Sequence, residues 1–353
     1  MGQAVRQGKS LPFPTKNESK FVLMGSGKLL CDAARALIKR GFPRPIILTH
    51  PKQSHSRDLE IYGSPRYRMI YESIFEFAKR DGLEVYQCRD VNSDATIKYL
   101  KGKGVRIACS FGLRCLVKEE FISYFKNLVL NCHGTDLPKY RGGALGTWQI
   151  LNDESNVYGL FHLIDNKFDS GNIVIKTSLP LNHRNAYPAD WLAKTWQINL
   201  SAFEELLARI EEGETIRTVP QNLALGSYFP RLKTEIHGAI NWNWSAREIE
   251  RFIRAFGWPH TGAFSFIGKR KIRIARTRIL TRGKVFHPFL IGLVFRKCSD
   301  GSIEITTRDA FLKIISLRIG HEEVSASSQV KVGERFYTPS EILDRAQSYR
   351  ASY

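Results

Sequence analysis

Several familiar features are missing from this sequence of 353 residues, and each absence removes a class of protein. No apolar run approaches the roughly 18 residues that a membrane-spanning helix needs. Residues 1–20 are polar and lack the apolar core of a secretory signal. Arg6 stands where a myristoylation motif has Ser or Thr. The six cysteines form no Cys-x-x-Cys pair, so we expect reduced thiols in a cytoplasmic protein without a membrane span.

Motifs for nucleotides and metals are also incomplete. Gly8-Lys9-Ser10 lacks the earlier glycine of a phosphate-binding loop, because Gln3 stands at that position. The turn Gly25-Ser26-Gly27 has Leu30 where a dinucleotide fingerprint requires Gly, which favours an ordinary strand-to-helix turn. No histidines show the His-Glu-x-x-His spacing of a zinc site, and we expect no metal cofactor. The chain also has no internal repeat and no low-complexity tract.

Positive charge, by contrast, is abundant. The chain has 53 Lys and Arg against 34 Asp and Glu, a net charge of +19. Such a field attracts phosphates, nucleic acid or an anionic membrane, and it does not choose between them. A hydrophobic content of 43% is enough for ordinary cores. At roughly 100–200 residues per domain, the length predicts two domains.

Strand and helix patterns alternate through the first part of the chain. Apolar runs indicate strands at 21–24, 45–49, 84–87, 105–111 and 128–130, and amphipathic stretches indicate helices at 28–40, 69–79, 94–100 and 189–212. This alternation predicts an α/β fold with a Rossmann-like, mostly parallel sheet.

The pattern changes after residue 228. Ser245 and Glu248 form a capping box that opens a helix. From Phe264 onward, short strands punctuated by Gly or Asp predict a smaller C-terminal β-barrel of the OB-like kind. We expect four parts: a flexible leader at 1–19, a catalytic domain at 20–213, a linker at 214–227 and the C-terminal domain at 228–345.

The first strand of that second domain is strongly basic. Its region carries a run of cations with no acid between them: Lys269, Arg270, Lys271, Arg273, Arg276, Arg278, Arg282 and Lys284. This stripe either faces RNA or a phosphate, or it is merely the solvated outer face of a strand.

The most informative stretch is 131–143, Asn-Cys-His-Gly-Thr-Asp-Leu-Pro-Lys-Tyr-Arg-Gly-Gly, which follows an apolar run. Residues two apart on a strand share a face, so Asn131 and His133 point one way and Cys132 the other. Asn131 can donate to a carbonyl oxygen that gains negative charge. His133 can donate when protonated or move a proton when neutral. A carboxylate would complete the set, and Asp165 and Asp169 are the candidates downstream.

The spaced pattern resembles the formyltransferases that use 10-formyltetrahydrofolate. Asn-x-His-x-Thr-x-Leu-Pro-Lys-Tyr-Arg-Gly is followed by Asp-x-x-x-Asp-Ser-Gly, and the similarity runs from about Lys20 to the last sixty or so residues. The resemblance implies a catalytic triad of Asn131, His133 and Asp169, and Thr135 stands where the family usually has Ser. It implies 10-formyltetrahydrofolate as cosubstrate, with no metal. The residues it places at the folate are Arg114, Cys115, Leu116 and Asp165.

The same resemblance places Thr135, Lys139, Tyr140 and Arg141 near the acceptor, although the last three could instead hold the loop by stacking. One possible acceptor is a nucleotide- or lipid-linked amino sugar, favoured by the segment Ile61-Tyr62-Gly63-Ser64. The other is initiator methionyl-tRNA, favoured by the C-terminal domain and the positive charge. The glycinamide ribonucleotide branch lacks such a domain and is disfavoured.

Two alternatives to a transferase remain open. A folate- or RNA-binding module without catalysis would bind folate and transfer nothing, and a formyl-folate hydrolase would release formate without an acceptor. His162, inside a predicted strand, is interpreted as a hydrogen-bonded core or cleft histidine. The oligomeric state is left open.

Overall fold

Two β-sheets form the framework of the protein. The computed structural model describes residues 8–51, 71–113, 115–143, 145–280, 287–320 and 322–350. In chain order, the strands are β1 (Ser10–Pro12), β2 (Phe21–Gly25), β3 (Ile46–Thr49), β4 (Val85–Gln87), β5 (Ile107–Phe111), β6 (Val129–His133), β7 (Tyr140–Gly142), β8 (Asn156–Leu163), β9 (Ile173–Pro180), β10 (Thr215–Arg217), β11 (Ser227–Phe229), β12 (Ala263–Ile267), β13 (Arg270–Leu280), β14 (Val294–Lys297), β15 (Ile303–Thr306), β16 (Phe311–Ile319) and β17 (Glu322–Ser325). The helices are α1 (Lys28–Lys39), α2 (Ile74–Asp81), α3 (Asp94–Gly102), α4 (Glu119–Tyr124), α5 (Leu145–Leu151), α6 (Pro188–Glu211), α7 (Thr234–His237), α8 (Ala246–Ala255), α9 (Ala326–Gln329) and α10 (Ser340–Ser348).

The larger sheet has seven strands in the order β4-β3-β2-β5-β6-β8-β9. Its first five strands run parallel, and β8 and β9 run antiparallel to their neighbours. Strands β2, β3 and β5 are buried along their whole length, as expected where helices cover both faces of a sheet. Helices α1 and α6 pack on one face, and α3 and α4 pack on the other. The predicted α/β fold with a mostly parallel sheet is confirmed.

The predicted leader is partly built into the fold. Strand β1 pairs antiparallel with β10, with Leu11 opposite Ile216. Both of these side chains are buried in the core under the larger sheet. A short 3-10 helix, Lys16–Glu18, then leads into β2. The structure therefore differs from the predicted flexible leader at residues 10–19, because apolar contacts and a strand partner hold this segment.

The second sheet is antiparallel and lies in the C-terminal part of the chain. Its order is β12-β13-β16-β15-β14, and β17 pairs with β16. The segment 334–337 reaches both edges of this sheet, since Tyr337 bridges to Phe266 and Arg335 bridges to Leu293. The sheet thus closes on itself through that segment. The finer OB-like description stays a prediction.

Helix α8 joins the two parts of the protein. Its capping box is present as predicted: the Ser245 hydroxyl accepts from the Glu248 N–H at 3.2 Å, and Glu248 accepts from the Ser245 N–H at 2.7 Å. Arg254, buried at the other end of the helix, donates to the carbonyls of His183 and Ala186 at 2.9 and 3.0 Å. Apolar side chains from both parts form one cluster around α5 and α8. The loop after α8 is therefore held firmly against the larger domain.

Two predictions from the sequence concern apolar segments: that the cysteines are reduced, and that no segment spans a membrane. All six cysteines are free, as predicted, and five of them lie in or beside the strands and helices of the larger sheet. In the described part of the chain, no helix combines the length and apolar character needed to cross a membrane.

Candidate active site

Strand β6 delivers two polar side chains to the carboxyl edge of the larger sheet. It lies between β5 and β8, with Ser110 opposite Asn131 on one side and His162 opposite Asn131 on the other. The Asn131 Nδ2 atom lies 3.1 Å from His162 Nε2. Cys132 faces the apolar core, as strand alternation predicts. Asn131 and His133 therefore share the opposite face.

The loop after β6 fixes the ring of His133. His133 Nε2 donates to the backbone carbonyl of Tyr140 at 2.9 Å. The hydroxyl of Thr135 donates to the same carbonyl, also at 2.9 Å. Thr135 is fully buried and supports the loop behind His133, and its predicted contact with the acceptor stays a prediction. A serine hydroxyl could make the same bond.

Asp169 completes the cluster from a separate part of the chain. Its Oδ1 atom lies 3.8 Å from His133 Nδ1 and 3.6 Å from His162 Nε2, and its Oδ2 atom accepts from the N–H of Gly142 at 2.9 Å. Burial favours a neutral Asp169, but His162, His133 and the Gly142 N–H outweigh it and lower the pKa of Asp169 to about 2. Burial lowers the pKa of His133, although Asp169 opposes this effect. A buried carboxylate anion thus faces a histidine that is held neutral.

The loop that carries Asp169 is tightly constrained. Asp169 has a φ of +49°, in the left-handed region that few side chains adopt without support. Gly171 has no room for a side chain, because a Cβ atom there would lie 1.9 Å from the carbonyl oxygen of Leu163. Asp165, the rival carboxylate, accepts from the Ser170 hydroxyl at 2.6 Å and from the Lys167 N–H at 3.1 Å. Asp165 therefore shapes the loop, and its predicted contact with folate stays a prediction.

Two further residues belong to the site although the sequence did not single them out as functional. The side-chain amide of Gln221 donates to the carbonyls of Asp169 and Gly171 at 3.1 and 2.6 Å. His162 donates from Nδ1 to the Leu163 carbonyl at 2.8 Å, which leaves Nε2 for Asn131 and Asp169. Cross-strand pairing of His162 with Asn131 was the available signal for the histidine. No sequence signal distinguishes Gln221 from an ordinary linker residue.

A cavity of about 440 Å³ lies beside this cluster. It is bounded by the turn before α1, by the loop after β6, by α5 and α6, and by the segment after α8. Its lining includes Lys28, Cys132, Gly134, Trp191, Trp196 and His260. Asn131, His133 and Asp169 do not line it, but their neighbours Cys132, Gly134 and Gly142 do, and the Gly142 N–H donates to Asp169. Its size is typical of a small-molecule site.

The residues predicted at the folate follow β5, the immediate neighbour of β6. Leu116 is 59% exposed, and its carbonyl accepts from the side chain of Asn92 at 2.9 Å. Cys115 is half-buried, and burial raises the pKa of its thiol. Arg114 lies outside the described residues. The loop after β5 therefore lies next to the carboxyl end of β6, and its contact with folate stays a prediction.

The loop residues predicted at the acceptor differ in placement. Tyr140 is buried, its ring stacks on Phe229 with centroids 4.7 Å apart, and its hydroxyl donates to Glu154 at 2.7 Å. Lys139 forms an ion pair with the same glutamate. These contacts agree with loop stabilisation, and the predicted contacts of Lys139 and Tyr140 with an acceptor stay predictions. Arg141 is half-buried, and within the described residues its Nε atom has no hydrogen-bond partner. Arg141 remains the candidate for acceptor contact.

The basic strand β13 is largely neutralised by glutamates. Arg273 and Lys271 bind Glu235 at 2.6 and 3.0 Å, and Arg276 binds Glu323 at 3.0 Å. Burial favours a neutral Glu235, but its two cationic partners outweigh this and lower its pKa to about 2. These pairs favour a solvated face over an RNA-binding one. Arg282 and Lys284 lie outside the described residues.

Comparisons with known proteins agree with the predicted resemblance. Residues 233–332 match the family described as formyl transferase, C-terminal domain. The structure is similar to an N-formyltransferase from Helicobacter canadensis in complex with folinic acid and dTDP-3-aminofucose, with a TM-score of 0.62 and 21% identity over 86% of this chain and 99% of that one. A 4-N formyltransferase from Francisella tularensis gives a TM-score of 0.54 and 16% identity over 73% and 98% of the two chains. HypX from Aquifex aeolicus in complex with tetrahydrofolic acid gives a TM-score of 0.52 and 16% identity, over 90% of this chain and 50% of that one.

Proposed function

We propose that this protein, a formyltransferase by the family of its C-terminal domain and by its fold, formylates an amino sugar. The formyl group would pass from 10-formyltetrahydrofolate to the primary amine of a nucleotide- or lipid-linked sugar. The observation that carries this proposal is the convergence of Asn131, His133 and Asp169 at the carboxyl end of β6, beside a cavity. The amide, the imidazole and the carboxylate are the groups that acyl transfer to an amine requires.

We assign the two reactants to different parts of this site. The predicted folate residues Cys115 and Leu116 follow β5 and do not line the cavity, although Phe111 and Gly112 at the end of β5 do. We assign the cavity to the acceptor because of its other lining residues. Its apolar walls at Trp191 and Trp196 suit the face of a sugar, and the turn before α1 presents a helix N-terminus to an anionic group. The similar protein from Helicobacter canadensis, solved with folinic acid and dTDP-3-aminofucose, supports a folate and a sugar nucleotide as the two reactants.

The reaction begins when the neutral amine attacks the formyl carbon. A carbon–nitrogen bond forms, and the carbonyl becomes a tetrahedral oxyanion. Asn131 donates an N–H to this oxygen, and loss of one such donor typically costs about 3–4 kcal/mol of barrier. His162 holds the amide nitrogen of Asn131 from the other side, at 3.1 Å. The orientation of the amide is therefore fixed before the reactants arrive.

Collapse of the intermediate breaks the bond from carbon to the folate nitrogen. The attacking nitrogen loses a proton in the process and the folate nitrogen gains one. His133 is suited to carry this proton because it starts neutral, and Asp169 stabilises the imidazolium once it forms. The gap of 3.8 Å between His133 Nδ1 and Asp169 Oδ1 is longer than a direct hydrogen bond. A water molecule or the reacting nitrogen can therefore join the transfer.

A direct assay tests the proposal. The purified protein is incubated with 10-formyltetrahydrofolate and a panel of 3-amino and 4-amino sugar nucleotides, with charged initiator tRNA as the competing acceptor. We expect formylation of one sugar and loss of turnover in Asn131→Ala. Formylation of the tRNA alone would overturn the sugar assignment, and formate release that no acceptor increases would identify a hydrolase.

The tRNA alternative has a specific weakness. Among the described cations of the basic stripe, Arg270 pairs with Glu334, Lys271 and Arg273 pair with Glu235, and Arg276 pairs with Glu323, which reduces the charge that these four residues offer to phosphates. Binding to tRNA would fall steeply with salt, because each phosphate contact releases counterions. A nearly flat salt dependence of turnover is expected for a small acceptor. The segment at 61–64, whose sequence favours an amino-sugar acceptor, lies outside the described residues.

A further inference from the structure

We propose that His133, His162 and Asp169 also form a binding site for a divalent transition-metal ion such as Zn²⁺, and that the bound ion inhibits the enzyme. In the described part of the chain, these three are the group whose potential ligand atoms all lie within 4.8 Å of one another. The metal binding can be tested without any assay of activity. Only the inhibition rests on the proposed function.

The first ligand is the free nitrogen of His133. Its Nε2 atom must carry a hydrogen, because its partner at 2.9 Å is the carbonyl oxygen of Tyr140, which can only accept. In the neutral ring, Nδ1 therefore carries a lone pair. This nitrogen is turned toward Asp169 Oδ1. Burial keeps the ring in this neutral form, which is the form that binds metals.

The second ligand is Nε2 of His162, the ring nitrogen that does not donate to a backbone carbonyl. Its Nδ1 atom lies 2.8 Å from the carbonyl oxygen of Leu163 and must be the donor. The lone pair on Nε2 then points to Asp169 Oδ1 at 3.6 Å, while Asn131 donates to the same nitrogen. In both histidines the choice of tautomer is imposed by a backbone carbonyl.

The potential ligand atoms of His133, His162 and Asp169 are therefore close together. Two imidazole nitrogens and one carboxylate oxygen face each other, and a metal ion between them would bind all three. A proton can serve two of the atoms at once, whereas a metal ion can serve all three. Two ligands at about 2.1 Å from tetrahedral zinc lie about 3.4 Å apart. The separations from Asp169 Oδ1, 3.6 and 3.8 Å, approach that value, and the two histidine nitrogens lie within 4.8 Å of each other, so the side chains would adjust around a bound ion.

The hydrogen bonds around the three ligand side chains resemble those around the ligands of metal sites in proteins. Ligand histidines in proteins usually donate their second nitrogen to a carbonyl or carboxylate, which holds the ring in place. Here the carbonyls of Tyr140 and Leu163 do this, and the Gly142 N–H holds the second oxygen of Asp169. The fourth position on the ion would be left for water or a reactant.

Binding of the ion would stop formyl transfer by two routes. It would occupy the lone pair with which His133 carries the proton. It would also displace the Asn131 amide from His162 Nε2 and release the orientation that the oxyanion donor needs. Inhibition is therefore expected to be reversed by a chelator, since no covalent bond in the protein changes.

The test uses the full-length protein without a polyhistidine tag, freed of metal by a chelator. Co²⁺ is added while the visible absorption of a tetrahedral complex is recorded, and Zn²⁺ is then titrated as competitor. We expect one ion per chain. Asp169→Asn and His162→Gln should each weaken binding by at least about 100-fold, since even supporting residues alter metal affinity by 10–100-fold. Circular dichroism and thermal melting establish that both variants are folded.

The chain supplies its own control. His183 Nε2 lies 3.6 Å from Asp153 Oδ1, the separation seen for His162 and Asp169, but no third ligand completes that pair in the described residues. His183→Ala should leave Co²⁺ binding unchanged. Absence of stoichiometric binding to the wild type, or equal binding by folded Asp169→Asn, would refute the site. If no amine is ever formylated, the binding result still stands, and the failure then concerns the proposed function alone.

Discussion

The side-chain amide of Gln221 donates to the backbone carbonyl of Asp169 at a distance of 3.1 Å. A second bond from the same nitrogen to the Gly171 carbonyl means that one side chain spans the catalytic residue. Asp169 is held in a left-handed conformation, which side chains other than glycine adopt at a cost of about 1–3 kcal/mol unless their surroundings hold them. Gln221 is therefore a positioning residue for the carboxylate.

We expect Gln221→Ala to lower kcat by as much as about 100-fold with little change in KM, because a small misplacement of a catalytic group has effects of that size. Steady-state kinetics against the amino-sugar acceptor measures this. Asn222→Ala is the matched control, since the neighbouring side chain is exposed and contacts the Ala224 N–H instead. Equal losses in both variants would show that the segment, and not the amide of Gln221, matters.

The two candidate carboxylates are expected to respond differently to loss of charge. Asp169→Asn removes the anion that faces His133 and should lower kcat by at least about 100-fold. Asp165→Asn should be mild, because an amide oxygen can still accept from the Ser170 hydroxyl and the Lys167 N–H. Turnover of the two purified variants gives the ranking, and the reverse order would overturn the assignment of Asp169.

Thr135 is expected to act on activity through the loop. Thr135→Ser keeps the hydroxyl that donates to the Tyr140 carbonyl, and it should retain most of kcat. Thr135→Val keeps the volume but loses the bond, which typically costs about 0.5–1.5 kcal/mol of stability. Because the same carbonyl holds His133, kcat should fall as well. Thermal melting and kcat are measured for both variants and for wild type. The comparison separates the effect of side-chain volume from the effect of the lost hydrogen bond.

Glu235 is expected to make the C-terminal domain sensitive to acid. Its pKa is lowered from 4.5 to about 2, so its contribution to the free energy of unfolding is present above pH 4.5 and is lost as the pH falls toward 2. Glu235→Gln should flatten this part of the stability profile, measured by denaturant unfolding from pH 7 to 3. The effect should shrink in high salt because Glu235 is more than half exposed. A profile that matches wild type in low salt would contradict the prediction.

The sequence was enough to predict the catalytic strand and the placement of its side chains. The apolar run before Asn131 and the two-residue period placed Asn131 and His133 on one face, and this feature is local because it depends on a few neighbouring residues. Asp169 lies far along the chain, and only the resemblance to formyltransferases favoured it over Asp165. Thr135 and Tyr140 were harder to interpret, since their types suit binding equally well, and only their burial shows that they hold the loop.

Features that depend on distant parts of the chain could not be predicted. Gln221 reaches the site because β10 pairs with β1 and Val219 pairs with Ile173, and nothing in its own segment indicates these distant partners. Closure of the second sheet by residues 334–337 depends in the same way on pairing with Phe266 and Leu293. Neutralisation of the basic strand required Glu235, which lies 38 residues before its partner Arg273. Patterns along the sequence carry no information about such partners.

The pairing of β1 with β10 has a practical consequence for protein preparation. Strand β10 ends at Arg217, four residues before Gln221, so the residues at 10–12 help to anchor the segment that holds Asp169, together with the bridge between Val219 and Ile173. A truncated version that begins at residue 20, chosen because the preceding stretch is polar, would leave β10 without its neighbour. Such a shortened protein could fold, bind folate and still be a poor catalyst, and its weak turnover would be mistaken for a wrong substrate.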